Sequence, residues 1–131
     1  MWAVAETQPQ NRQRRIGRAL AMPIGSLGVI YCTEIHSLTV PFIVCSKPNP
    51  DDIIKNIWPE HWVLPFRIHP LGTPDQRFSK SDAQKLLSAL KDSNNITATL
   101  NIAPTTVFAP KEITSEDWET IIKRLIPKLG L

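Results

Sequence analysis

Cysteine is scarce in this 131-residue chain, which has only Cys32 and Cys45. Two are too few for a disulfide framework, and their separation lacks the paired spacing of a zinc site. Both lie inside apolar runs, which predicts buried, reduced thiols. Long hydrophobic runs are missing too: nothing approaches the roughly 18–20 apolar residues of a membrane span, so no membrane partner is expected. Glycine is low at five residues while proline reaches twelve, nearly twice its usual share. That balance speaks against a helical bundle and for a loop-rich β or α+β fold. At 42% hydrophobic and 21% charged, the chain reads as one globular domain over residues 1–131, expected in the cytoplasm.

Catalytic signatures are also missing. His36, His61 and His69 are not at metal-ligand spacing on one element, and no HExxH or CxxC occurs. Gly25-Ser26 lacks the rest of a phosphate-cradling loop, and no GxSxG elbow is present. His36-Ser37 would place a base and a nucleophile on opposite faces of a strand. Asp51 and Asp52 have no lysine on a following strand, as a metal-dependent nuclease would need, and Glu116, Asp117 and Glu119 suit the first turn of a helix. The expectation is therefore a protein without metal or cofactor, and not an enzyme.

What is present is basic and aromatic. Arg12, Arg14, Arg15 and Arg18 fall within seven residues that contain no acid. The run reads either as a solvated N-terminal loop or as an arm that contacts phosphates; no targeting signal is expected, because no apolar region follows it. Net charge is +3, which permits an anionic partner without demanding one. From Ile57 to Gly72 the sequence reads IWPEHWVLPFRIHPLG. Prolines are confined to strand starts, edges and bulges, so Trp58 and Trp62 are expected at the mouth of a strand. Trp2 and Tyr31 suit either core or pocket, and Trp118 suits core.

Along the chain, Trp2 to Glu6 reads as a strand, Thr7 to Arg15 as a loop and Ile16 to Met22 as a short helix. Leu27–His36 and Leu38–Ser46 are rich in Val, Ile, Tyr, Phe and Thr and read as buried strands, with Pro41 marking an edge or bulge. Lys47 to Asp52 is a turn, Ile53 to Ile57 a helical turn, and Trp62 to His69 a third long strand. Ser79 or Ser81 caps a helix to about Lys91, with Ala83, Leu86, Leu87 and Leu90 on one face. Thr114 and Asp117 cap a second, with Trp118, Ile121, Ile122 and Leu125 on its apolar face. Between them, Ile96–Leu100 and Thr105–Phe108 read as short strands. The order predicts an α+β fold: a small mixed, mostly antiparallel sheet or barrel with flanking helices.

A strand carrying a tryptophan, a basic loop, GVIYCTEIHS, PFIVCSKPN and IWPEHWVLPFRIHPLG before a helix resembles the PUA-like superfamily, and within it the EVE and YTH-like domains. The matching residues are Tyr31, Val44 to Pro48, Trp58-Pro59, and Pro65 with Arg67-Ile68-His69-Pro70-Leu71, within residues 1–91. The glycine–aspartate turn usual before the second strand is replaced by Met22 to Ser26, and the C-terminal third has no counterpart. The resemblance implies a PUA-like barrel that reads a modified, often methylated, base in DNA or RNA, as the specificity module of a modification-dependent restriction system. It implies Tyr31, Trp58 and Trp62 as cage candidates, Ser46 and Asn49 as base-edge contacts, and Arg12, Arg14, Arg15 and Arg18 on the backbone. A larger effector subunit is a further partner on this reading. The competing reading is a protein-interaction or oligomerisation subunit whose exposed aromatics form an interface.

Overall fold

Proline governs where the strands of this protein bend. The computed structural model describes residues 1–5, 12–55, 61–90, 100, 108 and 112–126, with Ala5 and Arg12 at the backbone only. Its elements are β1 (Trp2–Ala5), α1 (Arg12–Ala21), β2 (Leu27–Cys32), β3 (Ser37–Val44), β4 (Ile53–Ile54), β5 (Trp62–Phe66), β6 (Ile68–Pro70), β7 (Phe78–Ser79), α2 (Lys80–Leu86) and α3 (Ser115–Leu125). The fold is α+β. One sheet has the order β1-β5-β4, the other β2-β3-β6 with β7 also on β3, and every described strand pair is antiparallel. The described strands form two open sheets.

β3 carries both cores. In the β2–β3 ladder Val29 faces Pro41 and Tyr31 faces Leu38, so two steps on β2 match three on β3. Thr39 and Val40 together oppose Ile30, a bulge beside the proline that cannot donate to a ladder. The Thr39 hydroxyl donates to the Ile30 carbonyl at 3.0 Å, satisfying an acceptor at the irregular step. An extra residue reverses the alternation of faces. Leu38 accordingly joins Phe78, Ala83, Leu87, Leu90, Ile121 and Leu125 in one cluster. Phe42 and Val44 join Val4, Ala19, Leu64, Phe66 and Phe108 in the other. β2 follows suit: Val29 and Tyr31 pack against the first cluster, Ile30 against the second. Gly28 stands opposite Phe42, and a Cβ there would lie 2.3 Å from the Phe42 ring.

β5 repeats the device. Trp2 faces Phe66 and Val4 faces Val63, which leaves Leu64 and Pro65 opposite Ala3. Leu64 is left-handed at φ 57, a conformation costing about 1–2 kcal/mol for an L-residue. Its side chain is buried in the cluster between the sheets, which offsets that cost by roughly 1.5–3 kcal/mol.

Several sequence expectations are corrected. The basic segment is helical from Arg12, because Ile16, Ala19 and Met22 recur at helical spacing and dock on the inter-sheet cluster; arginine and glutamine are sound helix formers. Ile53–Ile54 pair with Val63 and Trp62 as a strand, where β-branched side chains fit better than in a helical turn. The long third strand is two, β5 and β6, broken at Arg67 as the chain passes between sheets. α2 stops at Leu86; Leu87 turns extended and a 3-10 turn follows over Ser88–Leu90, so Leu87 and Leu90 are buried and Leu86 is exposed. Cys45 is exposed and Cys32 half-buried, both as free thiols, since Cys45 lies just past the end of β3. Of the expected strands 96–100 and 105–108, all but Leu100 and Phe108 lie outside the described residues.

The helix caps hold as read: Ser79 accepts from Asp82 N–H and Thr114 from Asp117 N–H. Asp117 does more than fill a first turn. Its buried carboxylate accepts from Ser88 N–H at 2.8 Å, Ser88 Oγ at 2.9 Å and Ala89 N–H at 3.1 Å, capping the 3-10 turn from a neighbouring helix. At the other end of α3, Arg124 reaches Asp82 at 2.7 Å and stacks 5.2 Å from the Phe78 ring centroid.

Replacing Thr39 by valine keeps the shape and removes the hydroxyl, so Thr39→Val is expected to lower unfolding free energy by about 1–2 kcal/mol in denaturant titration. Asp117→Ala strands the donors of Ser88 and Ala89 and is expected to cost about 2–4 kcal/mol, with Asp117→Asn losing less.

Candidate nucleic-acid interface

The aromatic and basic residues singled out from the sequence fall in distinct places. Trp62 opens β5, paired with Ala5 and Ile54. Its ring meets Trp2 edge to face, with centroids 6.4 Å apart and planes at 85°, a favourable geometry for aromatic pairs. Both rings are half-buried. The link joins two strands adjacent in space but distant in sequence, and only the β1–β5 pairing exposes it. Trp58, in the segment before Trp62, lies outside the described residues. Tyr31 is half-buried opposite Leu38 and packs toward α2 and α3. The structure therefore brings Trp2 to Trp62 and keeps Tyr31 on the other sheet, against the other cluster. Trp118 is half-buried against the same cluster as Tyr31.

Ser46 and Asn49 are anchored in the connection leaving β3. Ser46 Oγ accepts from Arg67 N–H at 2.8 Å, and the neighbouring Cys45 N–H donates to the Arg67 carbonyl at 2.8 Å. Asn49 N–H donates to the Pro65 carbonyl at 3.0 Å, while its Oδ1 accepts from Asp51 N–H at 2.9 Å, a local turn typical of asparagine. The hydroxyl hydrogen of Ser46 and the Nδ2 group of Asn49 are the donors these side chains can offer to a ligand. This connection also positions the exposed Arg67, a residue that the sequence places in a strand and in the resemblance but assigns no contact.

The arginines are held by α1. At about 100° per residue, Arg14 and Arg18 share the outward face, and both are exposed. Arg15 turns toward the packed side and is half-buried. Arg12 is the first helical residue. Arg14, Arg15 and Arg18 do not form one continuous array. Arg12, Arg14 and Arg15 lie in the first turn, which contains no acid. The helix dipole is positive there and disfavours cations. At the other end Lys47 Nζ donates to the Leu20 carbonyl at 2.9 Å and the Met22 carbonyl at 2.7 Å, as suits the negative end of a helix.

His36 sits in the β2–β3 turn at φ 47, while the Ser37 hydroxyl is buried and donates to the Ile35 carbonyl at 2.9 Å. The two do not form a nucleophile–base pair. Among the described residues no cluster of histidine, cysteine and carboxylate side chains is arranged to hold a metal ion, and no helix is long and apolar enough to cross a membrane. Carboxyls lowered from their ordinary value lie elsewhere: Asp75 by a hydrogen bond from Thr73, and Glu119 by one from Lys123.

Compared with known proteins, the chain matches no family model, no curated protein and no solved structure.

Arg14→Glu reverses the sign of an exposed charge in the first turn of α1. It is expected to stabilise the fold by about 0.3–1 kcal/mol in denaturant titration at low salt, with the gain shrinking as salt is raised.

Proposed function

We propose that this chain is a non-enzymatic nucleic-acid-binding module that reads a modified, methylated base in an aromatic pocket. It would act in the cytoplasm as the specificity part of a modification-dependent restriction or RNA-regulation system, with a larger effector subunit supplying any catalysis. The observation that carries this reading is the first turn of α1. Three arginines and no acid stand where the helix dipole already repels cations, an arrangement that a stability-driven sequence avoids. A phosphate placed there is favoured twice, by the dipole and by the guanidinium groups. The half-exposed Trp2–Trp62 pair offers the flat apolar faces that hold an unstacked base. The PUA-like barrel of this reading goes beyond the described strands, which form two open antiparallel sheets sharing one core through Val4, Phe42, Val44 and Phe66.

A second reading, an interaction subunit whose aromatics form an interface, draws on the same pair, since tryptophan and arginine are the residue types enriched at binding hot spots.

A panel of single- and double-stranded oligonucleotides, with and without base methylation and at two salt concentrations, separates the two. The nucleic-acid reading expects preference for the methylated strand, and a loss of roughly 5- to 150-fold on Trp62→Ala, the value of one aromatic stack. Arg14→Gln with Arg18→Gln should flatten the log–log salt slope on duplex DNA by about 1.8, at about 0.9 per phosphate contact. If Trp58→Ala with Trp62→Ala leaves binding of every methylated oligonucleotide unchanged, the aromatic pocket is wrong. Concentration-dependent self-association lost on Trp62→Ala, with no oligonucleotide affinity, would establish the interaction reading instead.

A further inference from the structure

Three large apolar side chains lie exposed in one corner, where α1 turns into β2: Leu20 at 44%, Ile24 at 60% and Leu27 at 47%. This is not a loose loop. Gly25 N–H donates to the Val44 carbonyl at 2.8 Å and Val44 N–H to the Ser26 carbonyl at 2.9 Å, fastening the turn to the end of β3. Ser26 closes the turn on the Pro23 carbonyl, and Gly25 supplies the left-handed residue at φ 93. Lys47 ties the same corner to the carbonyls of Leu20 and Met22. Leu27 stands opposite Ile43 in the hairpin. Apolar groups fixed in solvent by this many backbone bonds call for an explanation that a mobile tip would not.

The outward sector of α1 adjoins them. Around the helix, Leu20, Gln13, Gly17, Ala21, Arg14 and Arg18 succeed one another, and all are exposed. A Cβ on Gly17 would meet nothing within 4 Å, so small residues leave an open shelf between Leu20 and the arginines. No aspartate or glutamate occurs from residue 7 to residue 33, a stretch that holds four arginines. A second copy in a two-fold contact would set this positive corner against itself, since symmetric contacts pair a patch with its own image. The bases of a nucleic acid would leave Leu20, Ile24 and Leu27 without apolar partners.

We propose that the α1–β2 corner docks an acidic, apolar-faced helical segment of another protein. Its apolar side chains lie on Leu20, Ile24 and Leu27, its backbone follows the shelf at Gly17 and Ala21, and its carboxylates face Arg14 and Arg18. The apolar anchors of such a helix would rest on an exposed corner with a charged flank, and the charge sets partner choice and encounter rate more than affinity. It rests on surface outside the tryptophan pair. Arg14 and Arg18 serve both this contact and phosphate binding, whereas Ile24 and Leu27 serve only this one and so carry the test.

Fluorescence anisotropy with a synthetic amphipathic helix of glutamate and leucine, added to the full chain, provides that test. The peptide should bind saturably, and Ile24→Ser with Leu27→Ser should weaken it by about tenfold or more, a loss of 1.4 kcal/mol. The same peptide with lysine for glutamate should not bind, and oligonucleotide affinity should be unchanged in the double variant. Ile24→Ser and Leu27→Ser made singly guard against a pair that perturbs β2, each being expected to lose part of the affinity. The proposal fails if the acidic peptide does not saturate, if the double variant binds it as well as the native chain does, or if the lysine peptide binds equally. Self-association abolished by the double variant would assign the corner to a second copy, and oligonucleotide binding abolished by it would assign the corner to nucleic acid.

Discussion

The bulge in β3 is the constraint on which the rest of the molecule hangs. A single strand borders β2, β6 and β7, and its side chains enter two separate cores. Without the extra residue at Thr39–Val40, Leu38 would share a face with Phe42 and Val44, and the helices could not find an apolar surface opposite the first sheet. Pro41 makes the irregular step natural, because it has no N–H to place in a regular ladder. Thr39 makes it inexpensive, because its hydroxyl reaches the Ile30 carbonyl that the displaced ladder would otherwise neglect. The second bulge, at Leu64–Pro65, lies inside β5, whose pairing with β1 resumes at Phe66 before the chain leaves the sheet at Arg67.

α1 depends on that arrangement in turn. Its core-facing residues are Ile16 and Ala19, with Met22 just past its end, a narrow stripe on a helix otherwise made of arginine, glutamine, small residues and the exposed Leu20. Ten residues of such composition would not hold a helix alone in water. The inter-sheet cluster, Lys47 at the last carbonyls and the turn fastened to Val44 supply what the sequence of the helix lacks. Arginines that would otherwise belong to a mobile arm are thereby set on a rigid scaffold, with Arg14 and Arg18 outward and Arg15 against the protein.

How far the sequence discloses this depends on the range of the interaction that decides each feature. Features set within a few residues are legible: the Ser79 and Thr114 caps, the strand character of most of Leu27–His36 and Leu38–Ser46, and the bulge signalled by Pro41. Features set by distant partners are not. The helical start at Arg12 is decided by docking on a cluster assembled from β1, β3 and β5. The early end of α2 reflects Asp117, 29 residues away in sequence from Ser88. Ile53 and Ile54 look equally suited to a helical turn until β5 lies beside them. The candidate site divides in the same way. Its residue types are visible as tryptophan and arginine, but the Trp2–Trp62 partnership comes from strand pairing, and the distance between Trp62 and Tyr31 comes from their membership of different sheets.

The same division bears on what remains open to a ligand. Ser46, Asn49 and Lys47 look, in sequence, like a polar patch following a strand. In the fold they close the connection between β3 and the β5–β6 bend and cap α1, so much of their hydrogen-bonding capacity is committed to backbone. A polar group already engaged by the backbone is held in place, and it can contribute geometry to a ligand only through the donors it still offers. Binding strength must then come from groups the fold does not consume. Among the described residues those include the outward arginines of α1 and the large apolar and aromatic faces at the surface. The two kinds of surface favour different partners: flat aromatic faces suit a base, and the aliphatic corner at Leu20, Ile24 and Leu27 suits a protein side-chain stripe. Arg14 and Arg18, on the outward face of α1, lie within the electrostatic reach of either, so the two partners would interfere whenever both approach that helix. On the two proposals together, recognition of a nucleic acid would be coupled to the presence of a protein through competition for two guanidinium groups.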